Sequence, residues 1–556
     1  MKFSRRDLLA WSAGAAAGLI VTPIPWKLLD DTSIWSQNWR WIPQPARGPV
    51  EVKQSFCTLC PKGCALRVRI AAGWPVGVAG VSTNPVTHGA LCPLAFGAHQ
   101  LNWHPARLKA VRHRASISTW EDARSAFAKA AGEGSIVVID GYPGRATSQV
   151  FQAFLKNRRG EYRVVYARET RSLLPYEQWS GISAMSLGYD LENARTIISF
   201  GAPVLDGWGS PGQFTRLWAE RAAGPSDPQL RLIQIDSELS RTAARAWKWI
   251  AVRPGSESIL AAGLARALVE QNLVSARGPL PAISVAEAAN QAGLAIEAIR
   301  DLAQTLAAQP RVLAISDGEN ASVAALNLLL GAVGSKGGIV RVAKDAKPYL
   351  PADAELASAR ALLIDSSVPW DFVPKTNAEI FRFAAWDGGG DKSDWLLPAP
   401  GFLEELTDVP SAAASSLNTY AIAAALSPAP QFSKSTAEFL RSIDSGLDTV
   451  EGIIHQRCVE RFKSRAGTVY AATAMPAAGF ASAQKLEEQL RGGAIWVNDT
   501  PRSAGFRCKL TEWPADTTSP PMQDWSAVWP SGTLPPLASK LYQESQLRDL
   551  PERRNA

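Results

Sequence analysis

Four cysteines near the N-terminus constrain this chain more than any other feature of its sequence. They follow the spacing Cys57-x2-Cys60-x3-Cys64-x27-Cys92. Four converging thiolates are the ligand set of a [4Fe–4S] cluster, and Gly63 gives the loop backbone freedom just before its third ligand. Structural zinc and a pair of disulfides are the alternatives. The uneven x2 and x3 spacing differs from the paired Cys-x2-Cys arrangement of zinc ribbons and favours the cluster.

The N-terminal residues have the order of an export signal. Lys2, Arg5 and Arg6 precede an apolar run of 14 residues, 8–21, and the segment Ser4-Arg5-Arg6-Asp7-Leu8-Leu9 matches the twin-arginine pattern. The alternative is an amphipathic start with two chance arginines. The run is short for a membrane span of ~20 residues, and no small-residue cleavage site follows it. We therefore expect a protein on the periplasmic side of the cytoplasmic membrane, with its signal either removed or retained as an anchor.

Composition and charge narrow the class of protein. At 556 residues with 46% apolar residues, the chain predicts roughly three or four domains. The formal net charge of +7 is spread along the chain, so we expect no nucleic-acid partner. Cys458 and Cys508 lie far from the quartet and are expected to be buried or paired with each other. Four tryptophans in one Pro-rich stretch predict either a docking surface or an arm that wraps the protein itself: Trp26, Trp35, Trp39 and Trp41.

Beyond the cysteine segment, the chain alternates buried strands with amphipathic helices. Apolar runs rich in β-branched residues predict parallel strands at Ser135–Asp140, Arg163–Tyr166, Thr196–Phe200, Arg231–Asp236, Arg311–Ser316 and Ala361–Asp365. Helical periodicity falls between them at Glu257–Glu270, Val285–Ala308 and Ser322–Val333. The predicted fold class is therefore α/β, with helices on both faces of doubly wound sheets.

Several predicted strands lead directly into small or acidic residues. These strand ends are Asp140-Gly141, Gly201-Ala202, Asp236-Ser237, Asp317-Gly318 and Asp365-Ser366-Ser367. Ligands of doubly wound sheets bind at the carboxyl ends of strands, where glycine lets a nucleotide approach the backbone. Five such ends in one chain predict a dinucleotide-type cleft.

Segments after the quartet match the motifs of one protein family. They are Trp103–Lys109, Gly188–Ala194, Ile198–Ala202, Ala251–Glu257, Leu326–Leu328 with Gly331, Gly334, Gly337 and Gly338, and Asp394–Pro400 with Glu404. On these motifs, residues 50–410 resemble the molybdopterin oxidoreductase superfamily, whose large subunits begin with a [4Fe–4S] domain and continue into α/β lobes around bis-molybdopterin guanine dinucleotide. The resemblance implies that the cluster ligands are Cys57, Cys60, Cys64 and Cys92. It also implies a pterin-nucleotide cleft at Gly201, Asp236, Arg253 and Gly255.

Four departures from the superfamily pattern concern molybdenum. Catalytic members carry Lys or Arg two residues after the fourth cysteine, where this chain has Leu94, which cannot stabilise negative charge. In the stretch where they present a ligand to molybdenum, residues 167–173, only Thr170 and Ser172 carry hydroxyls. Trp247 replaces an acidic residue before the Arg-Pro-Gly turn, and we expect the family's C-terminal β-barrel to be missing. The resemblance therefore implies a member that has given up molybdenum, and it leaves open whether an empty pterin is kept.

Two further stretches narrow the resemblance. Residues 25–39 and 540–548 resemble the molybdopterin-like, molybdenum-free subunit of periplasmic menaquinone reductase complexes, and the counterpart in alternative complex III is similar. The resemblance implies three partners, namely a multihaem cytochrome c subunit, a ferredoxin-like iron–sulfur subunit and an integral membrane quinone-binding subunit. It implies an electron-transfer and scaffold subunit of a respiratory quinone oxidoreductase, with no catalytic residue of its own. The alternative is a catalytic molybdoenzyme that reduces sulfur or arsenic oxyanions, using Ser172 or no protein ligand.

These inferences divide the chain into six parts. Residues 1–26 are the twin-arginine signal, 27–50 a Trp- and Pro-rich arm, and 51–112 the [4Fe–4S] domain. A first α/β lobe combines 113–160 with 306–445, and a second comprises 161–305. Residues 446–556 form a C-terminal segment with an extended tail.

Overall fold

The computed structural model describes residues 4–21, 48–156, 158–222, 229–275, 278–342, 349–352, 359–370, 372, 374–389, 392–498 and 506–514. The N-terminal helix Arg5–Val21 is exposed along its whole length. In the ranges given above, no helix combines the length and the apolar character that a membrane crossing requires. The Trp-rich residues 26–41 and the segment 540–548, on which two predictions rest, lie outside the described residues.

The first folded unit is a small antiparallel sheet. Its three strands follow in chain order: Val50–Phe56, Ala65–Ala71 and Trp74–Gly80. Along the middle strand, Leu66, Val68 and Ile70 are buried, whereas Arg67 and Arg69 between them are exposed. This alternation gives the sheet one apolar face. That face packs against two short helical segments, Pro93–Gly97 and Ala98–Trp103.

The larger α/β lobe is built on an eight-stranded sheet. Its strand order is Leu350–Pro351, Gly160–Val164, Ser135–Asp140, Ala359–Ile364, Glu379–Ala384, Trp395–Pro398, Val111–His113 and Ser116–Ser118. The first six strands run parallel to one another. Val111–His113 pairs in antiparallel orientation with both of its neighbours, Trp395–Pro398 and Ser116–Ser118. The surrounding helices are Trp120–Glu133, Ala146–Leu155, Thr436–Ile443 and Val450–Ser464. The rings of Phe127, Phe381 and Phe439 meet edge to face in the core between them.

The second lobe is built on a four-stranded parallel sheet. Its strand order is Lys248–Ala251, Arg231–Asp236, Thr196–Phe200 and Val312–Ser316. The accompanying helices are Pro211–Leu217, Arg241–Arg245, Glu257–Glu270, Val285–Ala292, Ile296–Ala307 and Ala321–Leu329. Successive residues Ile197 and Ile198 contribute to two different apolar clusters, so the sheet is covered on both faces. The predicted α/β class is confirmed.

Two features of the second lobe differ from the sequence expectation. The helix predicted over 285–308 is two helices, because Gly293 takes a left-handed φ of +74° and ends the first of them. The strand Val312–Ser316 pairs in parallel with Thr196–Phe200, so the second lobe extends past the predicted boundary at residue 305.

Two smaller sheets complete the described fold. A five-stranded antiparallel sheet has the order Thr407–Pro410, Asn418–Ala423, Ile495–Asn498, Thr468–Tyr470 and Ala474–Pro476. Helix Ala483–Arg491 packs against it, and a two-stranded sheet joins Leu187–Tyr189 to Ile339–Arg341. Among the described residues, none of these sheets closes on itself.

Candidate iron–sulfur centre and adjoining cavity

Three of the four cysteines lie at the tip of the first β-hairpin. The strand register pairs Phe56 with Ala65. One position further along, the amide of Cys57 donates a hydrogen bond to the carbonyl oxygen of Cys64 at 2.8 Å. The ladder of backbone hydrogen bonds therefore continues to the first and third cysteines and fixes both at the neck of the loop.

The loop between these two cysteines is tightly turned. The amide of Lys62 donates to the carbonyl oxygen of Cys60 at 2.8 Å. Gly63 has a left-handed φ of +61°, and a Cβ atom at this position would overlap the Cγ1 atom of Val409. Glycine is required here for both reasons, which confirms the role that the sequence indicated for it.

The fourth cysteine and a glycine of the second lobe complete the enclosure. Cys92 directly precedes helix Pro93–Gly97. Burial raises the pKa of the Cys92 thiol, and hydrogen bonds from the backbone N–H groups of Ala95 and Leu94 act in the opposite direction. Burial likewise raises the pKa of Cys64, against a hydrogen bond from the backbone N–H of Gly212. Backbone N–H groups thus hydrogen-bond sulfur positions from two parts of the chain, as they do around protein-bound iron–sulfur clusters.

The four thiols also influence one another. Burial raises the pKa of Cys60 to about 11, and the nearby charge of Cys92 adds to the shift. Burial raises the pKa of Cys57 further, with contributions from Cys60, Cys64 and Cys92. The sulfur atoms therefore lie within electrostatic range of one another, and their thiolate forms require a positive partner such as iron.

The disulfide interpretation of the quartet is not borne out by the structure. None of the six cysteines forms a disulfide, and Cys458 and Cys508, expected to be buried or paired with each other, contribute to separate apolar cores. Across the described part of the chain, no three His, Cys, Asp or Glu side chains are grouped to hold one metal ion.

A buried ion pair lies beside the cysteine loop. The ammonium group of Lys62 faces the carboxylate of Glu169, which belongs to the short helix Arg168–Arg171. The two side chains are 6% and 3% exposed. Burial lowers the pKa of Lys62 to about 8, although Cys60 and Cys64 act in the opposite direction. A cation is therefore present at this side of the loop.

A cavity of about 520 Å³ adjoins this ion pair. It lies where the parallel strands of the larger lobe end and where the second lobe approaches the cysteine loop. Its lining includes Cys60, Lys62, Gly141, Tyr142, Arg145, Arg168, Glu169, Arg171, Pro203, Trp208, Ser366, Ser367, Trp386, Phe402 and Glu405. The volume is within the range of small-molecule sites, and the position is the one expected for ligands of doubly wound sheets.

Charged groups line the larger-lobe side of this cavity. The guanidinium of Arg145 donates to Asp140 at 3.0 Å and to Asp365 at 2.8 Å. Burial raises the pKa of Glu405 to about 7, although the charge of Arg145 lowers it. The wall thus combines a fixed cation with a carboxyl group that titrates near neutral pH.

The residues predicted for a pterin-nucleotide cleft lie elsewhere. Gly201 (φ +71°) and Asp236 follow neighbouring strands at the carboxyl edge of the second sheet, and Gly255 (φ +78°) lies in the turn before helix Glu257–Glu270. The guanidinium of Arg253 donates to the carbonyl oxygen of Asn290 at 2.9 Å. None of the four contributes to the described lining of the cavity.

Three carboxylates share the edge of the second sheet where Asp236 lies. Burial raises the pKa of Glu257, and the charges of Asp236 and Asp317 add to the shift. The strand ends at Gly141 and Ser366-Ser367 line the cavity, whereas those at Gly201, Asp236 and Asp317 do not. The structure therefore joins only part of the predicted cleft, and the nucleotide role of the second-sheet residues stays a prediction.

The candidate molybdenum ligands are turned away from the cavity. Thr170 and Ser172 are both buried, and neither belongs to the described cavity lining. The hydroxyl of Ser172 lies 2.7 Å from that of Tyr189 and 2.9 Å from the carbonyl oxygen of Glu169. Because Tyr189 belongs to the core of the second lobe, the Ser172 hydroxyl is held by that core. Neither hydroxyl of residues 167–173 is therefore placed at the described cavity.

Comparison with known proteins agrees with this geometry. Residues 50–100 match the molybdopterin oxidoreductase Fe4S4 domain. Over 384 residues the chain is 30% identical to the menaquinone reductase, molybdopterin-binding-like subunit, of Nitratidesulfovibrio vulgaris, a match that covers 63% of this chain and 54% of that protein. Residues 50–100 thus form a molybdopterin oxidoreductase Fe4S4 domain, and the chain is similar to the molybdopterin-binding-like subunit of a menaquinone reductase.

Similarity to further proteins extends the comparison. The molybdopterin-containing subunit of arsenate respiratory reductase ArrA from Shewanella sp. strain ANA-3 is 25% identical over 301 residues, which cover 49% of this chain and 33% of that protein. The chain spans about half the length, or less, of these curated relatives. The solved structure of acetylene hydratase from Pelobacter acetylenicus superposes with a TM-score of 0.58 at 12% identity, covering 81% of this chain and 74% of that one. This likeness shows a shared fold.

Several cavity residues were not identified from the sequence. Lys62 lies inside the cysteine loop, and Glu169 lies in the segment considered for molybdenum ligands, yet nothing local indicates that they pair. Arg145 and Glu405 follow strand ends, as do many residues without a site role. Of these residues, only Lys62 could have been assigned to the site from the sequence, because it lies between two of the cysteines.

Proposed function

We propose that this protein is an iron–sulfur electron-transfer and scaffold subunit of a membrane-associated respiratory quinone oxidoreductase, without active molybdenum. The observation that carries the proposal is the contrast between two neighbouring places. The cysteine quartet is complete and enclosed, whereas the adjoining segment holds its Ser172 hydroxyl against Tyr189 in the core. The cysteine quartet thus supports an electron-carrying role, and neither hydroxyl of residues 167–173 lines the described cavity, which speaks against a metal ligand from that segment.

The residues around the quartet support electron transfer. A [4Fe–4S] cluster bound by Cys57, Cys60, Cys64 and Cys92 would supply a one-electron carrier. Cys57 and Cys64 are buried, Cys60 and Cys92 are partly exposed, and Cys60 lines the cavity. Backbone N–H groups and burial set how readily such a centre accepts an electron.

The proposed partners follow from the curated relative. The Nitratidesulfovibrio vulgaris protein is named as a subunit of a menaquinone reductase. We propose that this chain likewise assembles with a multihaem cytochrome c subunit, a ferredoxin-like iron–sulfur subunit and an integral membrane quinone-binding subunit. The twin-arginine sequence at Arg5-Arg6 supports an assembly on the periplasmic side of the cytoplasmic membrane.

A catalytic molybdoenzyme is the second candidate. The similarity to an arsenate respiratory reductase subunit and the cavity of about 520 Å³ favour it. The engaged hydroxyl of Ser172 opposes it, unless molybdenum were held without a protein ligand. Metal content distinguishes this candidate from the first.

The experiment that tests the proposal compares two cysteine variants. Cys60→Ser removes one soft ligand, whereas Cys508→Ser, far from the quartet, serves as the matched control. Subunit stoichiometry and quinone reduction are measured on the same purified complex. We expect Cys60→Ser to lower quinone reduction strongly and Cys508→Ser to leave it unchanged. A Cys60→Ser complex that assembles fully and reduces quinone at the wild-type rate would refute the proposal.

A further inference from the structure

The buried pair of Lys62 and Glu169 is the strongest feature that the proposed function does not yet explain. Lys62 lies between the second and third cysteines, and Glu169 lies in helix Arg168–Arg171. Both side chains are more than nine-tenths buried. Within the described residues, neither Lys62 Nζ nor Glu169 Oε1 has a hydrogen-bond partner beyond their mutual ion pair.

Burial makes this pair costly as a purely structural contact. Removing two charges from water is energetically unfavourable, and an apolar pair of similar volume often stabilises a protein as well or better. The core around the loop offers such apolar neighbours, because Leu66, Leu91 and Phe402 all pack there. A mere clip between hairpin and helix therefore does not require charged residues.

The position of the pair gives the charges a different use. Lys62 is separated from each of two ligands, Cys60 and Cys64, by a single residue, and its charge interacts with both. Leu94, two residues after Cys92, is buried and uncharged. Lys62 thus places a cation next to the quartet, whereas the residues that follow the fourth cysteine place none at Leu94. Water cannot screen it well, because the side chain is only 6% exposed.

We propose that Lys62 and Glu169 set the reduction potential of the cluster, an inference that rests on the proposed electron-transfer function. Reduction adds a negative charge to the centre. The Lys62 ammonium stabilises that charge, and Glu169 both holds the ammonium in place and offsets part of its field. Both groups also line the cavity. A charged molecule bound there therefore interacts electrostatically with the pair and, through it, changes the potential of the centre.

This proposal makes predictions of opposite sign for the two members of the pair. Lys62→Gln removes the cation and leaves a buried carboxylate near the centre, so reduction becomes less favourable. Glu169→Gln removes the anion and leaves the cation, so reduction becomes more favourable. Two residues that acted only as a clip would both reduce cluster content and would not shift the potential in opposite directions.

The test is a redox titration of the purified full-length protein, followed by electron paramagnetic resonance of the reduced cluster. We expect Lys62→Gln to lower the midpoint potential and Glu169→Gln to raise it, each changing the reduced-to-oxidised ratio at fixed potential by about tenfold, which is ~59 mV for one electron. Lys62→Arg keeps the charge and should restore most of the wild-type potential. Lys53→Gln removes a lysine of the same domain that is 55% exposed, and it should have little effect because solvent screens it.

Each outcome decides the matter. Should Lys62→Gln fail to hold its cluster, Glu169→Gln still reports the sign of the effect. If the midpoint potential did not shift in Lys62→Gln and Glu169→Gln, or shifted in the same direction in both, the inference would be overturned. The proposed electron-transfer function would not be affected by that result. Loss of iron from both of these variants would show that the ion pair is only a structural contact between the hairpin and the helix. A wild-type protein without iron would instead overturn the proposed function itself.

Discussion

The amide of Cys57 donates to the carbonyl oxygen of Cys64 at 2.8 Å, which joins the first and third cysteines of the quartet through the backbone. The bond extends the pairing of Phe56 with Ala65 into the loop. The positions of two cluster ligands are therefore set by strand register, before any metal is bound. Residues that fix the turn between them should control iron binding as strongly as the cysteines themselves.

Gly63→Ala should cost the protein most of its iron. The position has φ +61°, and an added Cβ would overlap Val409 Cγ1. We expect a loss of about 1–3 kcal/mol of stability in the hairpin tip and a low iron content measured by mass spectrometry. Gly73→Ala is the control, since its φ is also positive, at +83°, but its Cβ would meet nothing within 4 Å. Equal iron content in the two variants would contradict this account of the loop.

Glu405 should make stability depend on pH. Burial raises its pKa to about 7, so the folded protein holds this proton more tightly than the unfolded chain. The resulting stabilisation is fully present below the ordinary Glu pKa of about 4.3 and is lost as the pH rises through about 7.

Glu405→Gln should remove this dependence, which amounts to at most about 4 kcal/mol. Thermal unfolding followed between about pH 5 and pH 8 checks it. We expect the wild type to lose more stability than the variant across this range. The exposed Glu51→Gln, as control, should behave like the wild type. Parallel pH profiles of the wild type and Glu405→Gln would refute the prediction.

Ser172→Ala should affect stability and not electron transfer. Its hydroxyl contacts Tyr189 at 2.7 Å in a buried site, so the variant should lose about 1 kcal/mol of unfolding free energy. Tyr189→Phe removes the partner and should have a similar effect. We expect iron content and quinone reduction to match the wild type in both variants. Loss of activity in Ser172→Ala alone, with iron retained, would favour the catalytic molybdoenzyme.

Replacing Arg5 and Arg6 by lysine should block export. The change keeps both charges on the exposed helix Arg5–Val21 but removes the guanidinium pair that the twin-arginine pathway recognises. Cell fractionation should then find the folded protein, with its iron, in the cytoplasm. The same change at Arg67 and Arg69, which are exposed on the N-terminal sheet, is the control and should leave export unchanged. Periplasmic protein from the first variant would show that the signal assignment is wrong.

The sequence predicted best what local pattern determines. Three of the four cysteines lie within one loop, so spacing alone indicated them. The strands Ser135–Asp140, Thr196–Phe200 and Arg231–Asp236 have the predicted limits, because runs of β-branched residues buried on both faces have few other stable conformations. The break at Gly293 was missed because apolar periodicity continues on either side of it.

The sequence could not predict what depends on how distant segments meet. Lys62 and Glu169 pair only because the hairpin tip docks against helix Arg168–Arg171. The hydroxyl of Ser172 was a plausible metal ligand until its contact with Tyr189 was known. Neither contact leaves a trace in composition or periodicity, since each joins residues that are not neighbours in one strand or helix.

Metal analysis of the anaerobically purified protein tests the central claim most directly. Inductively coupled plasma mass spectrometry should find about four iron atoms per chain, as one [4Fe–4S] cluster requires, and no stoichiometric molybdenum or tungsten. Iron in this amount without molybdenum is the result that an electron-transfer subunit predicts. Near-stoichiometric molybdenum, or a protein without iron, would contradict the account.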